Sequence, residues 1–203
     1  MNNKEFNSDD ASLSVDLSEA RQAVKENRFQ DALVLFEIIL KDDPNHIDSL
    51  YLASVSSRYL KKFDDSKKFI ERLMTIAPDM GRAYQELGHI YRDMGDETKS
   101  VIHYRQACEL NPALLASWSL LYKYFTKKNN QPAADHAREQ IEKLQSLPPA
   151  LLYIDQIMNE GRLGLAERQC RAFLKKNPTH TYAMSLLSEI ANRLGYFDDA
   201  EFL

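Results

Sequence analysis

Apolar residues recur at helical spacing along most of the chain, and the clearest example begins at Arg82. Tyr84, Leu87 and Tyr91 are three and then four residues apart, so they share one face of a helix. Polar residues fill the positions between them. The pattern predicts an amphipathic helix with one buried face.

A second helix is predicted directly after the first. Ile102, Tyr104 and Ala107 are expected to form its apolar stripe, and Pro112 marks its end. Gly95 lies between the two stripes, where the end of a helix favours a residue in the left-handed conformation. The stretch is therefore predicted to be two helices joined by a tight turn.

Proline spacing indicates that this helix pair is repeated. Pro44, Pro78 and Pro112 are equally spaced, and the length of the period that separates them is typical of helical repeats. We number the repeats one to six, at residues 13–46, 47–80, 81–114, about 115–146, 147–180 and 181–203. The chain is thus expected to be a stack of helix pairs in which each pair is buried by its neighbours.

The spacing changes once along the chain. The interval from Gly161 to Gly195 equals the proline period, but the interval from the corresponding Asn129 to Gly161 is shorter. Pro148-Pro149 lies within the shorter interval, so we expect a junction there, with a bend between two repeat blocks. The predicted organisation is a disordered N-terminus (1–12), repeats one to four (13–146), and repeats five and six (147–203).

Repeat six is expected to be incomplete, because the sequence stops at Leu203 within its second helix. Part of the apolar face of Leu186, Leu187 and Ile190 would then lack its cover. We interpret the chain as a fragment of a longer protein. An uncovered face would also allow self-association through this last repeat.

The repeat resembles the tetratricopeptide repeat. Repeat three carries the matching residues Tyr84, Leu87, Gly88, Tyr91, Ala107 and Pro112. The resemblance covers residues 13–203 and implies an all-α superhelix of tetratricopeptide type, a solenoid of about six helix-turn-helix units with the last one incomplete. Repeat one departs from the pattern, with Asp16 and Glu19 at usually apolar positions, and so does repeat four, with Tyr122 at a usually small one.

Residues 147–203 also resemble the repeat region of bacterial tetratricopeptide-repeat sulfotransferases. The similar segments are Leu147-Pro148-Pro149-Ala150, Gly161-Arg162-Leu163, Ala166-Glu167, Cys170-Arg171, Pro178, Leu194-Gly195 and Asp198 to Leu203. In those proteins the repeats precede a catalytic domain that uses a sulfonucleotide donor. The resemblance implies that such a domain would lie beyond Leu203.

Composition limits the partners and the compartment. The net charge of −4 argues against general binding to nucleic acid. The sequence contains no apolar run long enough to cross a membrane and no secretory leader pattern at its start. Cys108 and Cys170 are the only two cysteines and are interpreted as packing residues in a reducing compartment. We predict a cytoplasmic protein.

The sequence contains no recognisable pattern of catalytic, cofactor or metal-binding residues. The six glycines fit structural positions, so none builds a phosphate-binding loop. The five histidines lack metal-ligand spacing. The pairs Asp64-Asp65 and Asp198-Asp199 each follow a turn phenylalanine, where carboxylates favour the start of a helix. We therefore expect this chain itself to catalyse no reaction and to hold no cofactor or metal.

The remaining candidate is a surface for binding a protein or peptide. In tetratricopeptide proteins the first helix of each repeat lines a concave groove, so the resemblance assigns a contact set to repeats two to four. The set is Tyr51, Val55, Arg58, Arg82, Gln85, His89, Arg92, Ser119 and Lys123. Its basic and aromatic members would suit an acidic extended peptide. The corresponding positions in repeats five and six include Asp155, Met158, Glu189 and Asn192.

Three functional hypotheses follow. The first is a non-catalytic scaffold that holds a protein or peptide in its groove. The second is the N-terminal repeat region of a sulfotransferase. The third, self-association, depends on the uncovered face in repeat six. A simpler interpretation of the basic positions is an ordinary solvated helix face.

Overall fold

The computed structural model describes the backbone of residues 8–195 and the side chains of residues 17–195. Eleven helices and no strand occur within residues 8–195. In chain order they are α1 (Ser8–Lys25), α2 (Phe29–Asp42), α3 (Ile47–Tyr59), α4 (Phe63–Ile76), α5 (Gly81–Asp93), α6 (Glu97–Leu110), α7 (Leu115–Lys127), α8 (Gln131–Gln145), α9 (Pro149–Asn159), α10 (Leu163–Lys176) and α11 (Thr181–Leu194). The predicted all-α fold of paired helices is confirmed.

Two predicted segments fall partly or wholly outside the described residues. The N-terminal segment 1–12 is described only from Ser8, where α1 begins. Asp198-Asp199 and the predicted second helix of repeat six fall beyond residue 195, outside the described residues.

A left-handed residue follows the first helix of every repeat. These residues are Asn27, Lys61, Gly95, Asn129, Gly161 and Gly195, with φ angles from 54° to 85°. The prediction for Gly95 is confirmed. The same backbone conformation ends each first helix although only three of the six residues are glycines, because the turn geometry is fixed by the helices that it joins.

Two compact units divide the chain, one formed by residues 1–78 and 86–100, and the other by residues 79–85 and 101–203. In the first unit the largest buried apolar side chains are Phe36, Ile39, Leu50, Ile70, Leu73 and Ile90.

Small side chains bring α3 and α4 together in the first unit. Ser54 and Ser66 are both fully buried, and each hydroxyl lies within 3.0 Å of the other residue's carbonyl oxygen. These are the places where the tetratricopeptide pattern has glycine and alanine. Because each hydroxyl donates a hydrogen bond to the other serine's backbone carbonyl, neither buried hydroxyl is left without a partner. Serine can therefore replace the small residues glycine and alanine here.

The second unit contains two apolar cores. Tyr104, Cys108, Leu121 and Ala137 form the core of α6, α7 and α8. A second core joins α9, α10 and α11 and includes Leu151, Ile154, Ile157, Ala166, Cys170 and Ile190. The positions assigned to Cys108 and Cys170 as packing residues are confirmed.

Two sequence-based expectations about single side chains were wrong. Ile102 is 55% exposed, because the buried face of α6 follows Ser100, Tyr104 and Ala107 at steps of four and three. Met158 was assigned to the groove but is buried in the core of α9–α11.

The apolar face of repeat six is also covered, contrary to the prediction. Leu186, Leu187 and Ile190 are 5%, 3% and 0% exposed and pack in the core that α9 and α10 supply. Packing against the preceding repeat hides this stripe. The hypothesis of self-association depended on an exposed stripe, and these three residues do not provide one.

Histidines cap two first helices at corresponding positions. His46 Nδ1 accepts from the Ser49 backbone N–H at 3.2 Å, and His180 Nδ1 accepts from Ala183 N–H at 3.3 Å. The sequence analysis placed both histidines in equivalent loops but did not identify this role. A side-chain acceptor at this position satisfies one of the free N–H groups of a helix start.

The pair Asp64-Asp65 lies in the first turn of α4, as expected, but neither residue is the N-cap. Lys62 occupies that position without a side-chain cap, and the carboxylates pair with Lys67 and Lys68 at 3.1 and 3.2 Å. The stabilising effect therefore comes from charge near the helix start and not from a capping hydrogen bond.

Gln156 fastens α9 to the loop between α6 and α7 within the second unit. Its side-chain Nε2 donates to the Ala113 carbonyl at 2.9 Å, and Asn111 Nδ2 donates to the Gln156 carbonyl at 3.2 Å. We call Asn111, Ala113 and Gln156 the amide clasp. Gly81 packs on the same loop, where a Cβ at Gly81 would lie 2.8 Å from Asn111 Cβ.

Candidate binding surface

In the first unit, a buried arginine links the predicted contact rows of α3 and α5. Tyr51, Val55 and Arg58 share one face of α3, since they are four and three residues apart. Arg58 Nε donates to Glu86 Oε1 at 2.6 Å, and Arg58 Nη1 donates to Asp93 Oδ2 at 3.0 Å. Both acceptors belong to α5, so this face of α3 lies beside α5.

Arg58 is a structural cross-link and not an exposed groove cation. Its side chain is 8% exposed, and its guanidinium carbon lies 4.5 Å from the ring centroid of Tyr59. Tyr59 in turn stacks on Phe29, with centroids 4.3 Å apart. A second hydrogen bond to Glu86, of 3.4 Å, makes that contact bidentate. The Arg58 guanidinium is thus held by hydrogen bonds and stacking within this chain and is not available to a partner.

Electrostatics around α5 favour a neutral histidine. Burial and the nearby charges of Arg58 and Arg92 lower the pKa of His89 to about 4. The ring is therefore uncharged at neutral pH and offers no positive charge to an acidic peptide. His89 is half-buried and contributes shape and hydrogen-bonding capacity instead.

Arg92 remains largely exposed while sharing a carboxylate with Arg58. Its Nε and Nη2 donate to Asp93 Oδ1 at 2.9 and 2.8 Å. Burial would raise the pKa of Asp93, but the hydrogen bonds from both arginines outweigh it and lower that pKa. Burial raises the pKa of Glu86, and its bond to Arg58 opposes the rise.

In the second unit, the contact rows of α5 and α7 are linked by a neutral hydrogen bond. Gln85 Nε2 donates to Ser117 Oγ at 2.8 Å. Ser119 is half-buried and Lys123 is exposed further along α7. Gln85 is therefore partly committed to joining the two helices, and Lys123 is accessible.

Arg82 pairs with a carboxylate at the end of α9. Its Nε lies 3.5 Å from Glu160 Oε1, and the Glu160 side chain is only 3% exposed. The sequence analysis placed Arg82 in the groove and assigned no partner to it. Of the four predicted groove cations, Arg58, Arg82 and Arg92 all contact carboxylates of this chain.

The sequence analysis missed the three carboxylates that pair with these arginines: Glu86, Asp93 and Glu160. The sequence does contain a feature from which one of these carboxylates could have been predicted. Glu86 stands where repeats two and four carry Leu52 and Leu120, so a charged residue replaces an apolar one at a repeated position. No local pattern distinguishes the other two.

Both thiols are held in their neutral form. Burial raises the pKa of Cys108 to about 12 and that of Cys170 to about 11. Cys170 Sγ donates to the Ala183 carbonyl at 3.2 Å. Since the thiolate is the nucleophile, neither side chain is prepared for nucleophilic catalysis.

The described part of the chain contains neither a cluster of metal ligands nor a helix that could span a membrane. Within residues 17–195, no three histidine, cysteine or acidic side chains come close enough to hold a metal ion. Among the described helices, none combines the length and apolar character that crossing a bilayer requires.

Comparisons with known proteins agree with this architecture. The family model of the tetratricopeptide repeat matches residues 81–114, which is repeat three. A thermophilic tetratricopeptide repeat protein of Thermus thermophilus has a similar structure, with a TM-score of 0.56 and 20% identity over 90% of this chain and 98% of that chain. The fold is of the tetratricopeptide type.

Further solved structures share the fold at low identity. MamA from Desulfovibrio magneticus RS-1 has a TM-score of 0.57 and 20% identity, covering 66% of this chain and 75% of that chain. A tetratricopeptide repeat protein from Parabacteroides merdae ATCC 43184 has a TM-score of 0.57 and 12% identity, covering 94% and 77%. No curated protein matches the sequence.

Proposed function

We propose that this chain is a non-catalytic scaffold that binds a protein or peptide through the first helices of repeats two to four. The observation that supports it most is the Arg58 cross-link in the first unit. It fixes the α3 row of Tyr51 and Val55 beside the α5 row of His89 and Arg92. A surface fixed before binding loses less conformational entropy when a partner arrives.

The proposed contact residues fall into one set for each unit. In the first unit they are Tyr51, Val55, His89 and Arg92. In the second unit they are Arg82, Gln85, Ser119 and Lys123. Arg58 belongs to the proposal as the residue that positions the first set, because its own guanidinium is buried and paired.

The partner is proposed to carry acidic groups, which Arg92 and Lys123 are best placed to contact. Lys123 is exposed, and Arg92 is exposed although its guanidinium also bonds Asp93. Arg58 is buried, and Arg82 contacts the buried Glu160. An exposed ion pair contributes about 0.2–1 kcal/mol, so we expect charge to orient the partner and apolar contacts to supply most of its affinity. A cytoplasmic location is part of this proposal and is supported by the two free, buried cysteines.

Charge reversal tests the surface without breaking the fold. The double variant Arg92→Glu and Lys123→Glu should lose most of the protein that the wild-type chain captures from a cell extract. The matched control is Lys62→Glu with Lys68→Glu, two exposed lysines, one directly before α4 and one in its second turn. Equal capture by wild type and the Arg92/Lys123 variant, with the helical circular dichroism retained, would refute the acidic-partner proposal.

A second proposal, that a sulfotransferase domain follows these repeats, is supported only by the sequence pattern of residues 147–203 described above. The reading frame that encodes the chain tests it directly. A catalytic domain with a phosphate-binding loop after residue 203 would support it. A stop codon directly after Leu203 would rule it out and would leave the scaffold proposal unaffected.

A further inference from the structure

A cavity of about 370 Å³ opens between α6, α7 and α8 in the second unit. Trp118, Leu121 and Phe125 of α7 form one wall, and Cys108 of α6 and Ala133 of α8 contribute to the others. Its lining is mainly apolar and aromatic. A cavity of about 150 Å³ is enough to hold benzene, so this one can admit a small organic molecule.

The preceding repeat shows why this space is open. Phe125 lies one repeat period after Tyr91, and Ala133 lies one repeat period after Lys99. In the first unit the Lys99 ammonium lies over the Tyr91 ring, with Nζ 5.2 Å from the ring centroid. At the equivalent place beside Phe125, the side chain ends at the Cβ of Ala133.

A second substitution enlarges the same space. Cys108 lies one repeat period after Met74, so a shorter side chain occupies the corresponding position. Cys108 is 3% exposed and has no nearby cysteine to pair with. Shorter side chains therefore replace two long ones at one place, while the aromatic wall is kept.

The remaining lining suits a positively charged guest. Aromatic faces attract organic cations, most strongly when the cation leaves water. Trp118 is positioned by a hydrogen bond from Nε1 to the Pro112 carbonyl at 2.9 Å. His136 contacts the Trp118 ring edge-on, with centroids 5.5 Å apart. Glu109 also lines the cavity and supplies negative charge, while Arg105 opposes it from one turn earlier on α6.

We propose that this cavity binds a small organic ammonium compound, whose cationic group occupies beside Phe125 and Trp118 the place that the Lys99 ammonium takes over Tyr91. This site is separate from the proposed protein-binding surface. Its ligand is recognised by cation–π attraction and by apolar contact with the alkyl part. In repeat three the Lys99 ammonium also pairs with Asp96 at 3.1 Å, and the corresponding residue of repeat four is Asn130, so Glu109 is the carboxylate available to the ligand.

Choline is the probe for the first test, because its carbon isostere is neutral and has nearly the same shape. Trp118 is the only tryptophan, so its indole N–H gives a single, unambiguous NMR cross-peak. Choline should shift this peak saturably. The neutral isostere should bind more weakly than choline, by a factor of about ten or more. Equal binding of the two compounds, or no saturable shift with choline, would overturn the proposal.

Variants of the lining provide an independent test. Ala133→Lys restores the arrangement of Lys99 over Tyr91, so the introduced side chain should fill the cavity and abolish choline binding. Its matched control is Ala172→Lys at an exposed position of α10, which should bind choline like the wild type. Retained binding in Ala133→Lys, with unchanged circular dichroism, would contradict the assigned location.

Removing the negative charge and removing the positive charge at the cavity should change choline affinity in opposite directions. Glu109→Gln should weaken choline binding by about two- to fivefold, and Arg105→Gln should strengthen it by a similar factor, because each removes about one partly screened charge interaction. Both residues are exposed, so neither change should unfold the chain. Two effects of the same sign, or no effect from either, would rule out a cationic ligand.

Discussion

At the scale of the residue, Lys61 has the least usual backbone of the repeat turns. Its φ angle is 59°, in the region that disfavours most residues with a side chain, whereas repeats three, five and six use glycine at the same place. Repeats one and four use asparagine, which tolerates this region better. The backbone of Lys61 is held in this conformation by the turn, because its N–H donates to the Arg58 carbonyl at 2.9 Å.

Replacing Lys61 with glycine should stabilise the chain. Relief of left-handed strain contributes about 1–2 kcal/mol, and the extra freedom of glycine in the unfolded chain offsets about 0.5–1 kcal/mol of it. We expect a net gain of about 0.5–1 kcal/mol in the free energy of unfolding, measured with urea. Lys68→Gly makes the same chemical change inside α4 and should instead cost about 1 kcal/mol. A loss in both variants would contradict the strain argument.

His89 should make stability depend on pH. Its pKa is about 4 in the folded chain against an ordinary value of 6.5, so the unfolded chain takes up the proton first as the pH falls. Stability from this group is complete above about pH 6.5 and is lost between about pH 6.5 and 4.

Comparison with His89→Gln isolates this contribution from that of neighbouring carboxylates. Lowering the pH from about 7 to about 5 should destabilise the wild type by about 1–2 kcal/mol relative to the variant. Urea unfolding at each pH measures the difference, and NMR titration of the imidazole protons measures the pKa itself. Parallel pH profiles of the two proteins would disprove the assignment.

At the scale of the element, α9 is held by the amide clasp as well as by its apolar face. The Ala113 carbonyl that Gln156 contacts belongs to a residue only 1% exposed. The same carbonyl also accepts from the Leu115 N–H at 3.0 Å, so Gln156 supplies one of its two hydrogen bonds. The clasp therefore fixes α9 to the α6–α7 loop with a directionality that apolar packing alone does not supply.

Gln156→Ala should destabilise the second unit by about 0.5–1.5 kcal/mol, the net value of one hydrogen bond, because the Leu115 N–H still donates to the Ala113 carbonyl. Hydrogen exchange should increase in residues 111–114 and along α9. Gln145→Ala, at the exposed end of α8, is the matched control and should change little. Unchanged exchange in the loop of the Gln156 variant would show that the clasp contributes nothing.

At the scale of the whole molecule, stability in a repeat protein is divided among neighbouring elements. The core of α9–α11 is built from residues of those three helices, whereas Phe36, Leu50 and Ile70 are buried in the first unit. A defect in one of these cores should therefore have its largest effect close to it.

Ile154→Ala tests this division. Removing a fully buried isoleucine side chain should cost about 2–5 kcal/mol and reduce hydrogen-exchange protection throughout α9–α11. Protection of α2, α3 and α4 should fall much less. Ile154→Val serves as the smaller change, at about 0.5–1.5 kcal/mol. An equal loss of protection in α2–α4 and α9–α11 would show that the chain unfolds as one cooperative body.

The sequence by itself determined the helices, their turns and most of the buried stripes. Helical periodicity and turn chemistry are local, so Gly95, Tyr104 and Ala107 could be assigned from their neighbours in the chain and from the repeat period. Within α6, Ile102 was misassigned because two faces of that helix carry apolar residues, and only packing decides which is buried.

Only the tertiary structure decided which charges remain available to a partner. Arg58 and Arg82 are joined to Glu86 and Glu160, and both carboxylates lie far from their arginines along the chain. It also decided that the apolar stripe of α11 is covered. Ion pairs and buried faces depend on which elements meet in space, and a repeat pattern specifies the shape of each element more closely than the partner of each side chain.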